Sequence, residues 1–150
     1  MVPDLPPPLP EELEVCVEQA SESYGIAQEL IQAVMYRESS YKVDAIVKRP
    51  KFHALGLMQI NTQWWIESLA EFEIDYDDLL TKPCVNVAVG TWILRRFYLR
   101  HGDWFNALAA YNAGHSYEHR KHGFGYAGKV IATWQALYDQ EKGVYVAANE

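Results

Sequence analysis

The chain is 150 residues long, which is enough for one domain of ordinary size. Hydrophobic residues make up 49% and charged residues 22% of it, which excludes wholesale disorder, and no apolar run reaches the roughly 18 residues of a transmembrane helix. The first 30 residues contain seven acidic residues and no Lys or Arg, and the rest of the chain is balanced in charge. Because nucleic-acid binding needs a basic face, we do not expect it here.

The first ten residues, MVPDLPPPLP, contain five prolines and predict a flexible Pro-rich leader over residues 1–10. They lack the basic and apolar regions of a signal peptide, so none is predicted within this chain. We place the folded domain at residues 11–150.

Apolar residues recur with a helical period from residue 11 onward. The predicted helices cover residues 11–24, 27–38, 62–72, 83–101, 104–112 and 126–140. Thr62 is the predicted N-cap of the third helix. The period is lost over residues 42–61, where we expect a loop or a small hairpin, and over 75–80, where we expect a loop or a short helical turn. Residues 115–125 are predicted to form a His- and Gly-rich loop. The fold class is therefore all-α or nearly all-α, as one compact helical domain with a small irregular element around residues 45–60.

The two cysteines are Cys16 and Cys84. The spacing of the two cysteines does not decide between a single disulfide and two free, buried thiols. A bridge would close a long loop and stabilise the fold by roughly 4 kcal/mol.

Glu38 is the main candidate for a catalytic side chain. It lies at the C-terminal end of a predicted apolar helix, directly before the chain becomes irregular. Partial burial and the negative end of the helix dipole would both raise the pKa of its carboxyl, which keeps an acid protonated near neutral pH. The alternative is a surface carboxylate that pairs with Arg37 or Lys42.

Three short segments follow one another in the chain: ESS at residues 38–40, GLMQIN at 56–61 and AYNAG at 110–114. In this order they resemble the lysozyme-like lytic transglycosylases, which cleave the glycan strands of bacterial peptidoglycan. The resemblance covers about residues 14–137. Tyr126, in the segment YAGKV, matches a fourth and looser motif of that family. The resemblance implies a lysozyme-like all-α or α+β domain with a catalytic cleft.

A Cys in the first helix, the segment KPCVN at residues 82–86 and the small size are similar to one branch of this family. That branch accompanies type III and type IV secretion systems and conjugation systems. The resemblance implies a structural disulfide between Cys16 and Cys84 and export to the periplasm. It also implies peptidoglycan as the substrate, with components of a secretion or conjugation apparatus as candidate partners. We expect a monomer without a cofactor, a bound metal or a membrane-inserted segment.

Carried over residue by residue, the family motifs imply that Glu38 is the catalytic acid. The implied substrate-binding residues are Ser39, Met58, Gln59, Tyr111, Asn112 and Tyr126. Tyr111 would hydrogen-bond Glu38 or the substrate beside it, and Tyr126 would close the far wall of the cleft. The plainer alternatives are that Met58 and Tyr111 belong to the core and that Gln59 satisfies loop backbone.

Glycosidases usually use two carboxylates, yet residues 45–66 contain no Asp or Glu and Asp44 is the only nearby candidate. The sequence therefore favours a substrate-assisted route. Glu38 first protonates the glycosidic oxygen and then takes a proton from the C6 hydroxyl, which gives a 1,6-anhydro product. The alternatives are a lysozyme-type hydrolase that recruits Asp44 and a non-catalytic wall-binding module.

Two further groups of side chains have no role assigned by the motifs. His115, His119 and His122 are interpreted as a basic rim that faces anionic peptide stems rather than as a metal site. Many relatives carry Glu at the position of His122, which leaves the ligand contacts on that side open. Of the adjacent Trp64 and Trp65, one is expected in the core, and the other is available to stack on a sugar or a partner.

Overall fold

The structure is a computed structural model that describes residues 4–143. Its α-helices are α1 (Glu11–Tyr24), α2 (Gln28–Ser39), α3 (Thr62–Ala70), α4 (Tyr76–Thr81), α5 (Pro83–His101), α6 (Trp104–Ala113), α7 (Tyr117–Arg120) and α8 (Phe124–Glu141). Its antiparallel sheet consists of β1 (Ile46–Lys48), β2 (His53–Leu55) and β3 (Ile60–Asn61). The predicted architecture, a nearly all-α domain with a small irregular element around residues 45–60, is confirmed.

Helix α2 lies at the centre of the core. Leu30, Ile31, Val34 and Met35 are fully buried along it, and α8 packs across it. Helix α1 packs on α5, α5 packs on α6, and α6 packs on α8. Because α2 is enclosed in this way, its C-terminal end, which carries Glu38, emerges from the core at a fixed position.

Several helix boundaries follow from local chemistry that the sequence already displays. Gly25 ends α1 in the left-handed conformation at φ 67°, which an L side chain adopts only with strain. Pro83 occupies the first turn of α5, and Gly102 ends that helix. Asp103 caps α6 by accepting a 2.7 Å hydrogen bond from the backbone N–H of Asn106. These boundaries are confirmed.

The irregular region expected at residues 42–61 forms a small sheet of three strands. In β1 and β2, Ile46 pairs with Leu55 and Lys48 pairs with His53. In the third strand, Ile60 pairs with Leu55. The sheet places residues 56–59, between β2 and β3, beside the end of α2.

The predicted end of α3 at residue 72 and start of α8 at residue 126 each differ by two residues from the observed Ala70 and Phe124, and two further predictions are wrong. The N-cap of α3 is Asn61 rather than Thr62, because the Asn61 side chain accepts a 3.1 Å hydrogen bond from Trp64 N. The region at residues 115–125, predicted as a loop, is helical from Tyr117 onward: α7 continues into a 3-10 turn at Lys121–Gly123 and then into α8. Tertiary contacts stabilise it, since Arg120 Nε donates to Asn106 Oδ1 at 2.8 Å.

Cys16 and Cys84 form a disulfide that joins α1 to the first turn of α5 across a sequence separation of 68 residues. The bridge implied by the resemblance is therefore confirmed. Among residues 4–143, no helix has both the length and the hydropathy that crossing a bilayer requires.

Residues 5–10 have no regular secondary structure, and Leu5 and Leu9 pack on the core. The Tyr41 hydroxyl donates a 2.8 Å hydrogen bond to the carbonyl of Pro7. The flexibility of the leader and the domain boundary after residue 10 stay predictions. Residues 1–3 of that leader, and residues 144–150 of the predicted domain, lie outside the described part of the chain.

Candidate active site

Glu38 lies in the last turn of α2, partly buried, and accepts a 2.8 Å hydrogen bond at Oε2 from the Tyr126 hydroxyl. Burial raises the pKa of Glu38 from 4.5 to about 7, and the hydrogen bond from Tyr126 opposes that rise. The neighbouring Arg37 contacts Thr133 at 2.9 Å and Asp4 at 3.4 Å. Within the described residues Glu38 has no ion pair, so its carboxyl can hold a proton near neutral pH.

The two predicted tyrosines have different partners. Burial and the nearby Glu38 carboxyl raise the pKa of Tyr126 well above its ordinary value, so its phenol stays protonated and donates. The Tyr111 hydroxyl donates instead to the backbone carbonyl of Met58, at 2.6 Å. Tyr111 was expected to bond either Glu38 or the substrate beside it; the bond to Glu38 is made by Tyr126 instead, and Tyr111 holds the Met58 backbone while lining the cleft.

Asn86, a fully buried side chain on α5, holds the backbone of residues 56–59 in place. Asn86 accepts from Met58 N at 2.8 Å and donates to the carbonyls of Leu55 and Leu79, each at 2.9 Å. Gly56 adopts φ 72°, and a Cβ there would collide with Asn86 Nδ2 and the Leu79 carbonyl. The glycine of the motif is therefore required by a close approach to α5.

Three of the residues predicted to bind substrate, Ser39, Met58 and Tyr126, do not line the cleft, so the expectation that Tyr126 closes its far wall is not met. Ser39 is buried, and its Oγ donates to the carbonyl of Leu57 at 2.8 Å, which ties the end of α2 to residues 56–59. The Met58 side chain is fully buried against Gly90 of α5. Met58 is therefore a core residue, which is the plainer alternative given in the sequence analysis.

A cleft of about 450 Å³ lies beside Glu38. It is lined by Glu38, Val47, Arg49, Phe52, Ala54, Gln59, Asn61, Trp64, Tyr111, Asn112 and Ala113. Glu38 is the only acidic residue among these, since Asp44 is exposed to solvent and does not line the cleft. Acid–base catalysis in this cleft would therefore depend on a single carboxyl group, that of Glu38.

Gln59 and Asn112 meet the expectation that they lie on the cleft wall. Gln59 adopts φ 51°, and its Nε2 donates to the carbonyls of Gly56 at 3.0 Å and Ala45 at 3.2 Å. Its side chain thus satisfies loop backbone and faces the cleft at once. Asn112, at the end of α6, is exposed and free to meet a ligand.

Sequence reasoning missed Arg49 and Phe52, which reach the cleft from the turn between β1 and β2. Their only signal was the break in periodicity around them, which says nothing about where a side chain points. The expected division of the tryptophan pair is confirmed: Trp65 packs edge-on against Trp92 with ring centroids 5.7 Å apart. Trp64 is 40% exposed and lines the cleft.

The histidines of the 115–122 region do not converge. His115 and His119 line a second cavity, and His122 is exposed and lines neither it nor the cleft. Over residues 4–143 there is no group of three or more His, Cys, Asp or Glu side chains arranged to hold a metal ion.

The Transglycosylase SLT domain family matches residues 15–130, more than two thirds of the chain. The chain belongs to this family. It is 35% identical over 140 residues to X polypeptide of Escherichia coli, covering 90% of this chain and 80% of that protein. It is 33% identical over 141 residues to Invasion protein IagB of Salmonella typhimurium, covering 90% of this chain and 88% of that protein.

Solved structures show the same fold. The 70 kDa soluble lytic transglycosylase Slt70 of Escherichia coli matches with a TM-score of 0.69 and 25% identity over 91% of this chain. Lytic transglycosylase Slt of Pseudomonas aeruginosa matches with a TM-score of 0.68 and 19% identity. In both, the chain spans 25% of the length of the solved protein. The SLT-family chain is thus an enzyme of the lytic transglycosylase class, and the resemblance drawn from its motifs is confirmed.

Proposed function

We propose that this SLT-family enzyme cleaves the β-1,4 bond between N-acetylmuramic acid and N-acetylglucosamine and leaves 1,6-anhydro-N-acetylmuramic acid ends. The observation that carries the proposal is the isolation of Glu38. It is the one carboxyl group on the cleft wall, and burial brings its pKa to about 7. A group with that pKa can give a proton and take one back at neutral pH.

In the proposed reaction, protonated Glu38 donates its proton to the glycosidic oxygen, and the C1–O4 bond breaks with its electron pair going to the leaving oxygen. The 2-acetamido group of the muramic acid stabilises the developing positive charge at C1. Glu38, now ionised, removes the proton from the C6 hydroxyl as O6 bonds to C1. The proton returns to Glu38, so one carboxyl serves as acid and then as base.

The other side chains have supporting roles in this proposal. Gln59, Tyr111 and Asn112 bind the sugars beside the scissile bond from the cleft wall. Tyr126 orients Glu38 and stabilises its ionised form through the 2.8 Å hydrogen bond. Ser39 and Met58 act through the loop that they anchor, by the contact with Leu57 O and by core packing.

We further propose that the protein works in the periplasm as a monomer and opens the wall locally for a secretion or conjugation machine. The similarity to a protein named as an invasion protein and the disulfide, which is typical of oxidising compartments, support this proposal. Components of such a machine are its candidate partners.

Digestion of purified peptidoglycan sacculi followed by mass spectrometry of the products tests the reaction. We expect anhydro ends from the unmodified protein and no products from Glu38→Gln, whereas Glu22→Gln on the exposed surface of α1 cleaves normally. Reducing ends would indicate a lysozyme-type hydrolase. No products from the unmodified protein would indicate a wall-binding module, and full activity of Glu38→Gln would remove Glu38 from the mechanism.

A further inference from the structure

The segment before α1 is attached to the domain beside the end of α2. We call residues 4–9 the proline strap. Pro6 of the strap is buried, and Leu5 and Leu9 pack on the core. A groove of about 450 Å³ lies between the strap and side chains of α1, α2 and α8. The strap therefore holds to the domain at a few points rather than along its whole length.

Two polar contacts join the strap to residues on either side of Glu38. Oδ1 of Asp4 lies 3.4 Å from Nη2 of Arg37, the residue directly before Glu38. The hydroxyl of Tyr41, which follows the end of α2, donates a 2.8 Å hydrogen bond to the carbonyl of Pro7. The strap thus bridges the point at which α2 ends and the chain turns away.

The turn that follows Glu38 has a strained backbone. Ser40 has φ 52° and Tyr41 has φ 67°, and a side chain in this left-handed region persists only where surrounding contacts hold it. The Tyr41 side chain supplies such contacts, because its hydroxyl accepts from Gln32 Nε2 at 3.0 Å and its ring lies 5.6 Å from that of Tyr36. The bond to the strap completes this set. Its loss would let the turn relax and the end of α2 move.

Arg37 connects the strap to the opposite side of the site. Its Nε donates a 2.9 Å hydrogen bond to Oγ1 of Thr133, a fully buried residue of α8. Tyr126, whose hydroxyl bonds Glu38, lies on the same helix, about two turns earlier. Arg37 thus joins the strap to the two helices whose packing brings phenol and carboxyl together.

We propose that the proline strap positions Glu38 for catalysis by holding its carboxyl buried beside Tyr126. The positioning residues are Asp4, Arg37 and Tyr41. This inference rests on the proposed function, because it takes Glu38 as the acid and base. None of the three positioning residues lines the cleft, so the strap acts on the carboxyl and not on the substrate. Without the strap contacts, the end of α2 moves and water reaches Glu38.

Asp4→Asn combined with Tyr41→Phe tests the strap, because the pair removes both polar contacts with little change in shape. The first measurement is the pKa of Glu38, from NMR titration of isotope-labelled Glu side chains, with Glu38→Gln to identify its signal. Burial is the largest cause of the raised pKa of Glu38, so access of water should lower that pKa by about 0.5–1 pH unit. The titratable and charged groups that face Glu38 are unchanged in this variant: Tyr126 of α8, Tyr111 of α6 and Arg49 of the turn between β1 and β2.

The second measurement is the kinetics of cleavage of soluble peptidoglycan strands. We expect kcat of the double variant to fall about three- to tenfold, because the proton donor is misplaced, and KM to change less than about twofold. Asp4→Glu keeps the ion pair and should retain the kcat of the unmodified protein. The matched control is Asp77→Asn with Tyr138→Phe, which makes the same chemical changes at exposed positions outside the strap and the cleft. It should change neither kcat nor the pKa of Glu38.

A pKa of Glu38 that stays near 7 in the double variant would overturn the proposal. So would a higher KM at unchanged kcat, which would assign the strap to substrate binding, and so would equal effects in the control. If the double variant does not fold, Asp4→Asn alone, at an exposed position, provides the same two measurements. Because the titration needs no turnover, a pKa that falls as expected in a protein that releases no anhydro products would contradict the proposed function and leave the strap intact.

Discussion

The hydroxyl of Tyr126, near the start of α8, is 2.8 Å from Oε2 of Glu38, at the end of α2. These residues are 88 positions apart in the chain, and the packing of α8 on α2 brings them together. The hydrogen bond stabilises the carboxylate, while burial stabilises the protonated acid. The balance of these two effects sets the pKa of Glu38. Below that pKa the carboxyl is mostly a proton donor, and above it the carboxylate is mostly a proton acceptor.

Replacing Tyr126 by Phe should move the alkaline limb of the pH–rate profile to higher pH. The hydrogen bond lowers the pKa of Glu38, so its loss leaves burial unopposed and raises that pKa further. We expect a movement of roughly one pH unit, the equivalent of one hydrogen bond to a charged group. The profile of sacculus cleavage between pH 5 and 9 measures it. Tyr138→Phe, an exposed change on the same helix, is the control, and a limb that stays in place or moves to lower pH would contradict the assignment.

Glu38→Gln should stabilise the fold at alkaline pH. The ordinary pKa of a Glu side chain, which applies to the unfolded chain, is 4.5, and the pKa of Glu38 in the folded protein is about 7. Between these two pH values the folded protein therefore binds the proton more strongly than the unfolded chain does. The unmodified protein therefore loses stability as the pH rises from 4.5 to 7, by at most about 3 kcal/mol. Gln carries no charge and avoids this loss.

Urea denaturation at pH 4, 6 and 8 measures the effect. The variant should exceed the unmodified protein in free energy of unfolding at pH 8, and the difference should shrink towards pH 4. Glu22→Gln on α1 should give no such pH-dependent gain. A constant difference across the three pH values would show that burial of Glu38 does not control its ionisation.

Asn86→Ala should destabilise the protein by roughly 2–4 kcal/mol. The side chain is fully buried and makes three hydrogen bonds, to Met58 N and to the carbonyls of Leu55 and Leu79. Its removal leaves these buried backbone groups without partners. Denaturation by urea measures the loss. Asn112→Ala, at an exposed position, should stay within about 0.5 kcal/mol, and an equally small effect at Asn86 would show that the loop does not depend on it.

Gly123→Ala and Gly128→Ala should have opposite effects on stability. A Cβ at Gly123 would collide with the backbone of Ala109 in α6, whereas a Cβ at Gly128, within α8, meets no atom within 4 Å. The first change should destabilise by roughly 1–3 kcal/mol through forced separation of helices, and the second should stabilise by about 0.5–1 kcal/mol through helix propensity. Thermal unfolding of both variants compares them, and equal midpoints would contradict the close packing of this turn on α6.

Sequence patterns predicted the elements whose ends carry their own signals. Helices α1, α5 and α6 combine a helical period with Gly25, Pro83, Gly102 and Asp103 at their boundaries. Helix α7 has no such period, because it is short and its position depends on contacts with α6. The hydrogen bond from Arg120 to Asn106 is one of these contacts, and it joins residues 14 positions apart.

The site was predictable as a set of motifs but not as a set of side-chain directions. Gln59 and Met58 are adjacent, yet one faces the cleft and the other is buried in the core. Asn86 binds Met58 N from another helix and holds the backbone of this loop, the Gln59 side chain donates to the carbonyls of Ala45 and Gly56, and the Met58 side chain packs near Gly90. Helix packing likewise decides which tyrosine hydroxyl reaches Glu38, because the packing of α8 on α2 brings Tyr126 to it.

The bond between Cys16 and Cys84 links the first helix to the start of the fifth, and it can form only where thiols are oxidised. A newly made chain under reducing conditions lacks this constraint, so a larger share of its molecules is unfolded at any moment. Proteases that degrade unfolded chains remove such molecules first. Oxidation of the two thiols therefore lengthens the lifetime of the folded chain, and reduction of the bond shortens it.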